Sequence, residues 1–311
     1  MKKEICVSII MITYGHEKFI EEAIEGVRIQ KCNFNIELII ADDNSSDNTE
    51  GVVNNYLKEK KFTENIQVRY FKHKINKGAN ENYLWAVKQS NGKYIANCEG
   101  DDYWIDPLKL QKQVDFLENN PEYVISCHNS NIVDGDGNFK KLFNKFKIPE
   151  TTETNYLITE PWYMPTASVV FRKNHLSFPE WYFKVKNGDY ALYLLLTYKK
   201  NLIHYNNVVM SAYRIHGKGV SNIFKRKNVY SHSMIFIHQN FNDFSKKKYD
   251  ENCLKNISYH SYKILNNTSV YSKEFWFTLT NLILYKRRVD KKLLYLLKRR
   301  LLKKIKFNYI K

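Results

Sequence analysis

The chain has 311 residues, 43% hydrophobic and 15% aromatic, enough to bury a substantial core and too apolar for general disorder. Its formal net charge is +17, yet residues 271–311 hold 13 Lys and Arg against 2 Asp and Glu, so +11 of that charge sits in the tail and the remainder is mildly basic. Five scattered cysteines without a C-x-x-C pair argue against a disulfide framework or a cysteine zinc site and fit a reducing cytosol, and the lack of an 18-residue apolar run argues against a transmembrane helix.

Met1-Lys2-Lys3 followed by the apolar Ile5–Ile12 imitates a signal peptide. No small-residue cleavage site follows, because the run leads straight into Thr13-Tyr14-Gly15-His16-Glu17-Lys18. It reads instead as a first strand, Cys6–Thr13, buried on both faces. Glu17–Ile29 then places Phe19, Ile20, Ala23, Ile24 and Val27 at helical spacing. Ile36–Ala41 is a second strand, ending in Asp42-Asp43-Asn44-Ser45-Ser46-Asp47, and Thr49–Lys60 is a helix with Val52, Val53, Tyr56 and Leu57 inward. Taken alone, that acidic stretch is an Asx-turn and N-cap cluster, with Ser46 or Asp47 expected as the cap. A third strand at Ile66–Phe71, a helix at Asn80–Gln89 stopped by Asn91-Gly92, a fourth strand at Lys93–Cys98 and a helix at Pro107–Asn119 complete the series. This alternation implies a mainly parallel, doubly wound α/β sheet.

Such a sheet binds ligands at the carboxyl ends of its strands. Those ends hold Thr13-Tyr14, Asp42-Asp43 and Glu99-Gly100-Asp101-Asp102-Tyr103-Trp104. Neighbouring side chains on extended backbone diverge, so one of Asp101 and Asp102 can hold a hard divalent cation while the other faces another part of a ligand. Neither G-x-G-x-x-G nor G-x-x-x-x-G-K-[ST] is present, so a nucleotide in this crevice needs its phosphates neutralised by metal rather than by backbone amides.

Five blocks carry a family resemblance: Val7-Ser8-Ile9-Ile10-Met11-Ile12-Thr13-Tyr14, Glu37 to Asp47, Asn76-Lys77-Gly78, Gly92-Lys93-Tyr94-Ile95, and Glu99 to Trp104. In this order they resemble glycosyltransferase family 2 across roughly residues 5–222, with Gly15 standing where the family usually has Asn. The resemblance implies a GT-A fold and a nucleotide-sugar donor, with residues 1–222 as catalytic domain, its nucleotide-sugar half at 5–120 and its acceptor half at 121–222. By the same resemblance Thr13, Tyr14, Glu17, Asp43, Lys77, Gly78 and Asp101 line the nucleotide. Asp43 would accept a hydrogen bond from uracil, Asp101 would approach the ribose, and Asp102 would hold Mn2+ or Mg2+ at the diphosphate. A carboxylate suits the imide N–H of uracil and is a poor partner for cytosine N3, which favours UDP as the carrier.

Beyond residue 121, Tyr123–Cys127 reads as a strand and Asp134-Gly135-Asp136-Gly137-Asn138 as a hairpin turn. The turn briefly imitates a calcium loop, but Phe139 and Lys145 occupy its required Gly and Glu positions. Thr166–Arg172 is an expected strand, similar to the family's acceptor-side strand. Asn187-Gly188-Asp189-Tyr190 then opens a helix. Read alone, Asp189 is an N-cap; the resemblance makes it the general base that deprotonates an acceptor hydroxyl. Tyr213 to Ser221 resembles the loop that closes the family's site. There His216 is a third metal ligand or a diphosphate contact, and Arg214 and Lys218 supply charge to the leaving group.

The extension at 223–311 reads as helices packed beside the catalytic domain. In Val289–Ile305 an apolar stripe opposes Lys291, Lys292, Lys298, Arg299, Lys303 and Lys306, a pattern that fits an anionic membrane surface through residues 286–311 and equally a helix packed on its own domain. Aromatic residues are not interleaved there for base stacking, so no nucleic acid is expected. The reading is an inverting, metal-dependent glycosyltransferase acting on a glycan or lipid-linked acceptor of a surface polysaccharide, cytoplasmic or peripheral on the inner membrane face. Its rivals are a sugar-phosphate nucleotidyltransferase, which would need a Gly-rich basic loop after strand one, and a non-catalytic basic membrane- or RNA-binding protein.

Overall fold

Apolar runs alternating with helical stripes become a βα series in the computed structural model, which describes residues 4–217, 219, 228–286, 295 and 299. In chain order this series is β1 (Ile5–Thr13), α1 (Ile20–Arg28), β2 (Asn35–Asp42), α2 (Thr49–Glu59), β3 (Ile66–Lys72), α3 (Ala79–Gln89), β4 (Tyr94–Asn97), β5 (Tyr103–Trp104) and α4 (Lys109–Asn119). There follow β6 (Tyr123–Val133), β7 (Phe139–Leu142), β8 (Thr151–Thr152), α5 (Thr154–Thr159), β9 (Val170–Arg172), α6 (Gly188–Thr197) and β10 (Leu202–Arg214). The strands form one sheet in the order β3-β2-β1-β4-β9-β6-β10-β5, with β7 on β6 and β8 on β10. The β3-β2-β1-β4 half and the β6–β10 pair are parallel, whereas β9 joins the halves antiparallel to both β4 and β6.

Period-2 alternation decides which helix covers which face. Val7, Ile9 and Met11 of β1 with Ile36, Leu38 and Ile40 of β2 pack against Ile20, Ala23, Ile24 and Val27 of α1, Val53 of α2 and Leu110, Val114 and Leu117 of α4. On the opposite face α3 lies against β1 and β2 and buries Leu84, Ala86 and Val87. That second face also carries a buried polar knot. Glu37 accepts from Ser8 Oγ at 2.6 Å, Asn91 N at 2.6 Å and Arg69 Nη1 at 3.0 Å, so its charge is held by three neighbours.

Two segments differ from expectation. The strand at Tyr123 runs on to Val133 because β7, folded back through the Asp134–Asn138 turn, pairs with its far end. Within Thr166–Arg172 only Val170–Arg172 is a strand. Thr166–Ser168 is a 3-10 turn in which Ser168 Oγ donates to Pro165 O at 2.7 Å, a local side-chain bond that competes with the ladder.

The chain divides into two compact units, the first comprising residues 4–184 and 188–217. The described residues of the second are 185–187, 219, 228–286, 295 and 299, and its helices are α7 (Val229–Phe244), α8 (Asp250–Asn267) and α9 (Lys273–Lys286). Tyr262 and Leu265 of α8 pack with Phe275, Leu279 and Leu282 of α9. Most of the basic amphipathic stretch 289–305 lies outside the described residues. Among the described residues no helix is long and apolar enough to cross a membrane. All five cysteines are free.

Candidate active site

Strand β1 is flanked by β2 on one side and β4 on the other, both parallel to it. The chain leaves β1 in one direction and returns on its other side, so a crevice opens beyond the carboxyl ends of β1 and β4. Thr13 closes β1, and Gly15 then turns with φ +73°, a left-handed conformation that Gly and Asn both tolerate. The Asn-to-Gly departure noted above is therefore conformationally neutral. The turn is pinned to the β2–α2 loop by Gly15 N to Ser45 Oγ at 2.9 Å, His16 N to Thr49 Oγ1 at 3.0 Å and Glu17 N to Asp47 Oδ2 at 3.2 Å. Glu17 returns the contact through Oε2, which accepts Asn48 N at 2.9 Å, so its carboxylate joins two loops. Tyr14 stands 52% exposed at the rim.

The two carboxylates after β2 have separate tasks. Asp42 is buried and accepts Ser45 N at 2.7 Å and Tyr70 Oη at 2.8 Å, while Asp47 Oδ1 accepts Thr49 N at 3.1 Å ahead of α2, whose N-cap is Asn48 rather than the expected Ser46 or Asp47. Asp43, 3% exposed, accepts Lys77 N at 2.7 Å on one oxygen and Gly78 N at 2.8 Å on the other, and its own amide donates to Thr13 O at 2.9 Å. Each carboxylate oxygen keeps a second lone pair for another donor. Lys77 enters this cluster through its amide.

The chain after β4 stays against β1, with Gly100 N donating to Ile12 O at 3.0 Å. A Cβ on Gly100 would lie 2.7 Å from Thr13 Oγ1, 2.8 Å from Ile20 Cδ1 and 2.9 Å from His16 Nδ1, so any side chain here would have to displace those of the β1 turn and α1. Beyond it Asp101 and Asp102 diverge. Asp102 turns inward: it is 1% exposed, its Oδ1 accepts Arg214 N at 2.9 Å, and its Oδ2 is buried without a partner. Burial, with the Asp101 and Glu99 charges beside it, pushes the Asp102 carboxyl well above the ordinary range.

Asp101 takes the position that sequence reasoning gave to Asp102. Its Oδ2 lies 2.9 Å from His216 Nε2 and 3.7 Å from His16 Nε2, and the three ligand atoms all lie within 4.8 Å of one another. Burial opposes ionisation of Asp101, but the His216 hydrogen bond and the two imidazoles outweigh it and hold the carboxyl below its ordinary value. His216 arrives through register. Strand β5 pairs with β10 as Tyr103 to Ala212 and Trp104 to Ser211, which sets the end of β10 beside Asp101-Asp102 across more than a hundred residues of sequence. These groups fit a divalent cation chemically: two imidazoles and a carboxylate converge, and His16 Nδ1 is buried without a partner.

Arg214 departs from its expected role at a leaving group. It is 5% exposed, with Nε donating to Asp101 O at 3.0 Å, Nη1 to Gly135 O at 3.1 Å and Nη2 to Glu22, and its guanidinium lies over the Phe19 and Tyr103 rings. Those donors hold the Asp101–Asp102 turn in place. Lys218 lies outside the described residues.

Asp189 stands in the first turn of α6, where its Oδ1 accepts Tyr190 N at 2.7 Å and the Thr166 hydroxyl adds a second bond. Burial raises its carboxyl above the ordinary value. Glu99 connects it electrostatically to Asp101: burial, with Asp101 and Asp189 both near, pushes Glu99 up to about 8. Helix α3 ties the opposite rim together, since Gly78 N holds Asp43 and Asn80 Oδ1 would lie 2.4 Å from a Cβ on Gly188. Asp189 thus lies near Glu99, as Asp101 does, and Asp43 is held at the start of α3. Sequence reasoning missed His16, Glu99 and Thr166. The signal for His16 was its place directly after a strand end and a Gly turn.

A sequence model described as glycosyl transferase family 2 matches residues 8–177. An uncharacterized protein of Mycobacterium tuberculosis is 34% identical over 166 residues, 53% of this chain and 46% of that protein, so the chain spans about half the length of such curated relatives. The Escherichia coli UDP-Glc:alpha-D-GlcNAc-diphosphoundecaprenol beta-1,3-glucosyltransferase WfgD is 30% identical over 224 residues, 70% of this chain and 81% of that enzyme. The crystal structure of Staphylococcus aureus TarS 1–349 in complex with UDP-GlcNAc superposes with a TM-score of 0.61 at 17% identity, covering 90% of this chain and 81% of that one.

Proposed function

The chain belongs to glycosyl transferase family 2 and is a glycosyltransferase of GT-A fold, and from that premise we propose an inverting, cation-dependent transfer from a UDP-linked sugar to an acceptor hydroxyl. The observation that carries this reading is the 2.9 Å approach of His216 Nε2 to Asp101 Oδ2 beyond the carboxyl ends of β1 and β4.

In this reading the nucleotide lies along Thr13, Tyr14 and Asp43, the last held ready by the Lys77 and Gly78 amides. Asp101 and His216 would hold the cation. What a divalent cation supplies, when bound, is charge neutralisation for a departing diphosphate. Asp189 accepts the proton of the acceptor hydroxyl as that oxygen attacks the anomeric carbon from the face opposite the leaving group. The bond from that carbon to the diphosphate oxygen breaks, and its electron pair leaves on the nucleoside diphosphate. Asp102 acts as a positioning residue: its bond to Arg214 N fixes the end of β10 and so His216.

A lipid-linked glycan acceptor, as the name of WfgD gives for that enzyme, agrees with the strongly basic 286–311 segment, which suits an anionic membrane surface. A role in surface polysaccharide synthesis at the cytoplasmic membrane face follows from that acceptor class. The test is UDP release from a panel of sugar nucleotides with Mn2+ or Mg2+. Asp101→Asn should abolish metal-dependent turnover, Asp189→Asn should lower kcat with donor binding intact, and removal of 286–311 should keep donor hydrolysis while losing vesicle association. No metal-dependent release from any donor, or full turnover by Asp101→Asn, would refute the reading.

A further inference from the structure

His16 has no role in the reaction described above, yet it is as firmly built as any group in the site. Its backbone amide is bonded to Thr49 Oγ1, its carbonyl accepts the amides of Phe19 and Ile20 at 2.9 Å each, and its ring meets those of Phe19 and His216 at centroid distances of 6.4 and 6.0 Å. The side chain is 13% exposed, Nε2 faces Asp101 Oδ2, and Nδ1 is buried with no partner. Thr13 Oγ1, also without a partner, flanks the same face of Gly100 as that nitrogen.

Adjacent ligands of an ion with bonds of about 2.1 Å lie about 3.0–3.4 Å apart, for octahedral and tetrahedral arrangements respectively. The carboxylate oxygen lies 2.9 Å from one imidazole nitrogen and 3.7 Å from the other, each within a few tenths of an ångström of that spacing, and the two nitrogens lie within 4.8 Å of each other. We propose that His16 is a third protein ligand of the donor-site cation, making it a two-histidine, one-carboxylate site that selects Mn2+ and Co2+ over Mg2+. The inference rests on the cation reading above and extends it to one further residue and to the class of ion. Imidazole nitrogen suits borderline ions, whereas Mg2+ requires a nearly all-oxygen octahedral shell and gives up water reluctantly. Two nitrogens among three protein ligands therefore disfavour Mg2+. They also give the apoprotein enough donors to take up Co2+ or Mn2+ before any nucleotide arrives.

The experiment is metal binding by the full chain, read without turnover. Co2+ titration of the nucleotide-free protein, followed by visible d–d absorption, should show one site that a tenfold excess of Mg2+ does not empty. His16→Gln should weaken that binding by at least about tenfold, since even the outer partners of metal ligands contribute 10–100-fold, with His216→Gln and Asp101→Asn as controls. Pulsed EPR on Mn2+-loaded wild type should resolve two imidazole nitrogens, which needs no variant to fold. A single nitrogen coupling, or unchanged Co2+ affinity in folded His16→Gln, would overturn the role of His16 while leaving the cation reading in place. Displacement of Co2+ by equimolar Mg2+ would overturn the selectivity. Failure of wild type to bind any of the ions, with or without UDP, would remove the cation reading itself.

Discussion

Lys109 is 0% exposed in α4, and its buried charge predicts a specific dependence of stability on pH. Nζ lies 4.1 Å from the Trp104 ring centroid and donates to Gln113 Oε1 at 2.8 Å, while Gln113 Nε2 donates onward to Ser126 O at 2.8 Å and Ser168 O at 2.9 Å. Burial pushes Lys109 down from 10.5 to about 7. The unfolded chain keeps the lysine protonated to its ordinary value, whereas the folded chain releases the proton near neutrality. Between pH 7 and 10.5 the unfolded state therefore binds more protons, and stability rises with pH. At about 1.4 kcal/mol per pH unit, the whole window corresponds to about 5 kcal/mol, of which about 2 kcal/mol falls between pH 7 and 9. Lys109→Met keeps an unbranched chain against Trp104 and removes the titration. It also leaves Gln113 Oε1 short of a donor, costing about 1–3 kcal/mol at every pH. The readout is consequently the difference in pH response rather than the absolute stability. Urea unfolding of both proteins at pH 7 and 9 should show wild type gaining about 2 kcal/mol more than Lys109→Met. Parallel responses would refute a largely neutral, buried lysine.

Asp189→Asn should cut kcat by about 10²–10⁴ while leaving donor affinity unchanged, as measured by UDP release and by thermal shift with donor. Because burial raises the Asp189 carboxyl, the acid limb of kcat/KM should lie above the ordinary aspartate value of 3.8, activity falling as pH drops through the raised value and the base becomes protonated. Glu37→Ala should destabilise by about 3–5 kcal/mol in urea unfolding, since Ser8 Oγ, Asn91 N and Arg69 all lose their acceptor. The Glu37 carboxyl is held below its ordinary value by those bonds against the cost of burial, so its contribution is present above pH 4.5 and is lost as pH falls through the folded value.

Much of the first half could be read directly from the chain. The apolar run into Thr13, the acidic ends after β2 and β4, and the Gly stop after α3 each lie within a few residues of where the structure sets them. Local chemistry suffices there, since hydrophobic period and turn residues act within a dozen positions. The second half was less legible. Thr166–Ser168 carries strand-forming residues but follows Pro165, and its hydroxyl bonds back to the chain. Arg214 reads as a free cation beside a Gly-rich loop, yet its Nε, Nη1 and Nη2 donate to Asp101, Asp134, Gly135 and Glu22, partners scattered through the first 135 residues.

The chain by itself determined that two adjacent carboxylates would diverge at the end of a parallel strand, because alternation is a property of extended backbone. Which of them lies beside the two histidines was decided by tertiary structure. Pairing of β5 with β10 places Arg214 N against Asp102 and His216 against Asp101, and the Gly15 turn adds His16. Register between strands more than a hundred residues apart depends on the packing of the whole sheet, and no local pattern in the sequence encodes it.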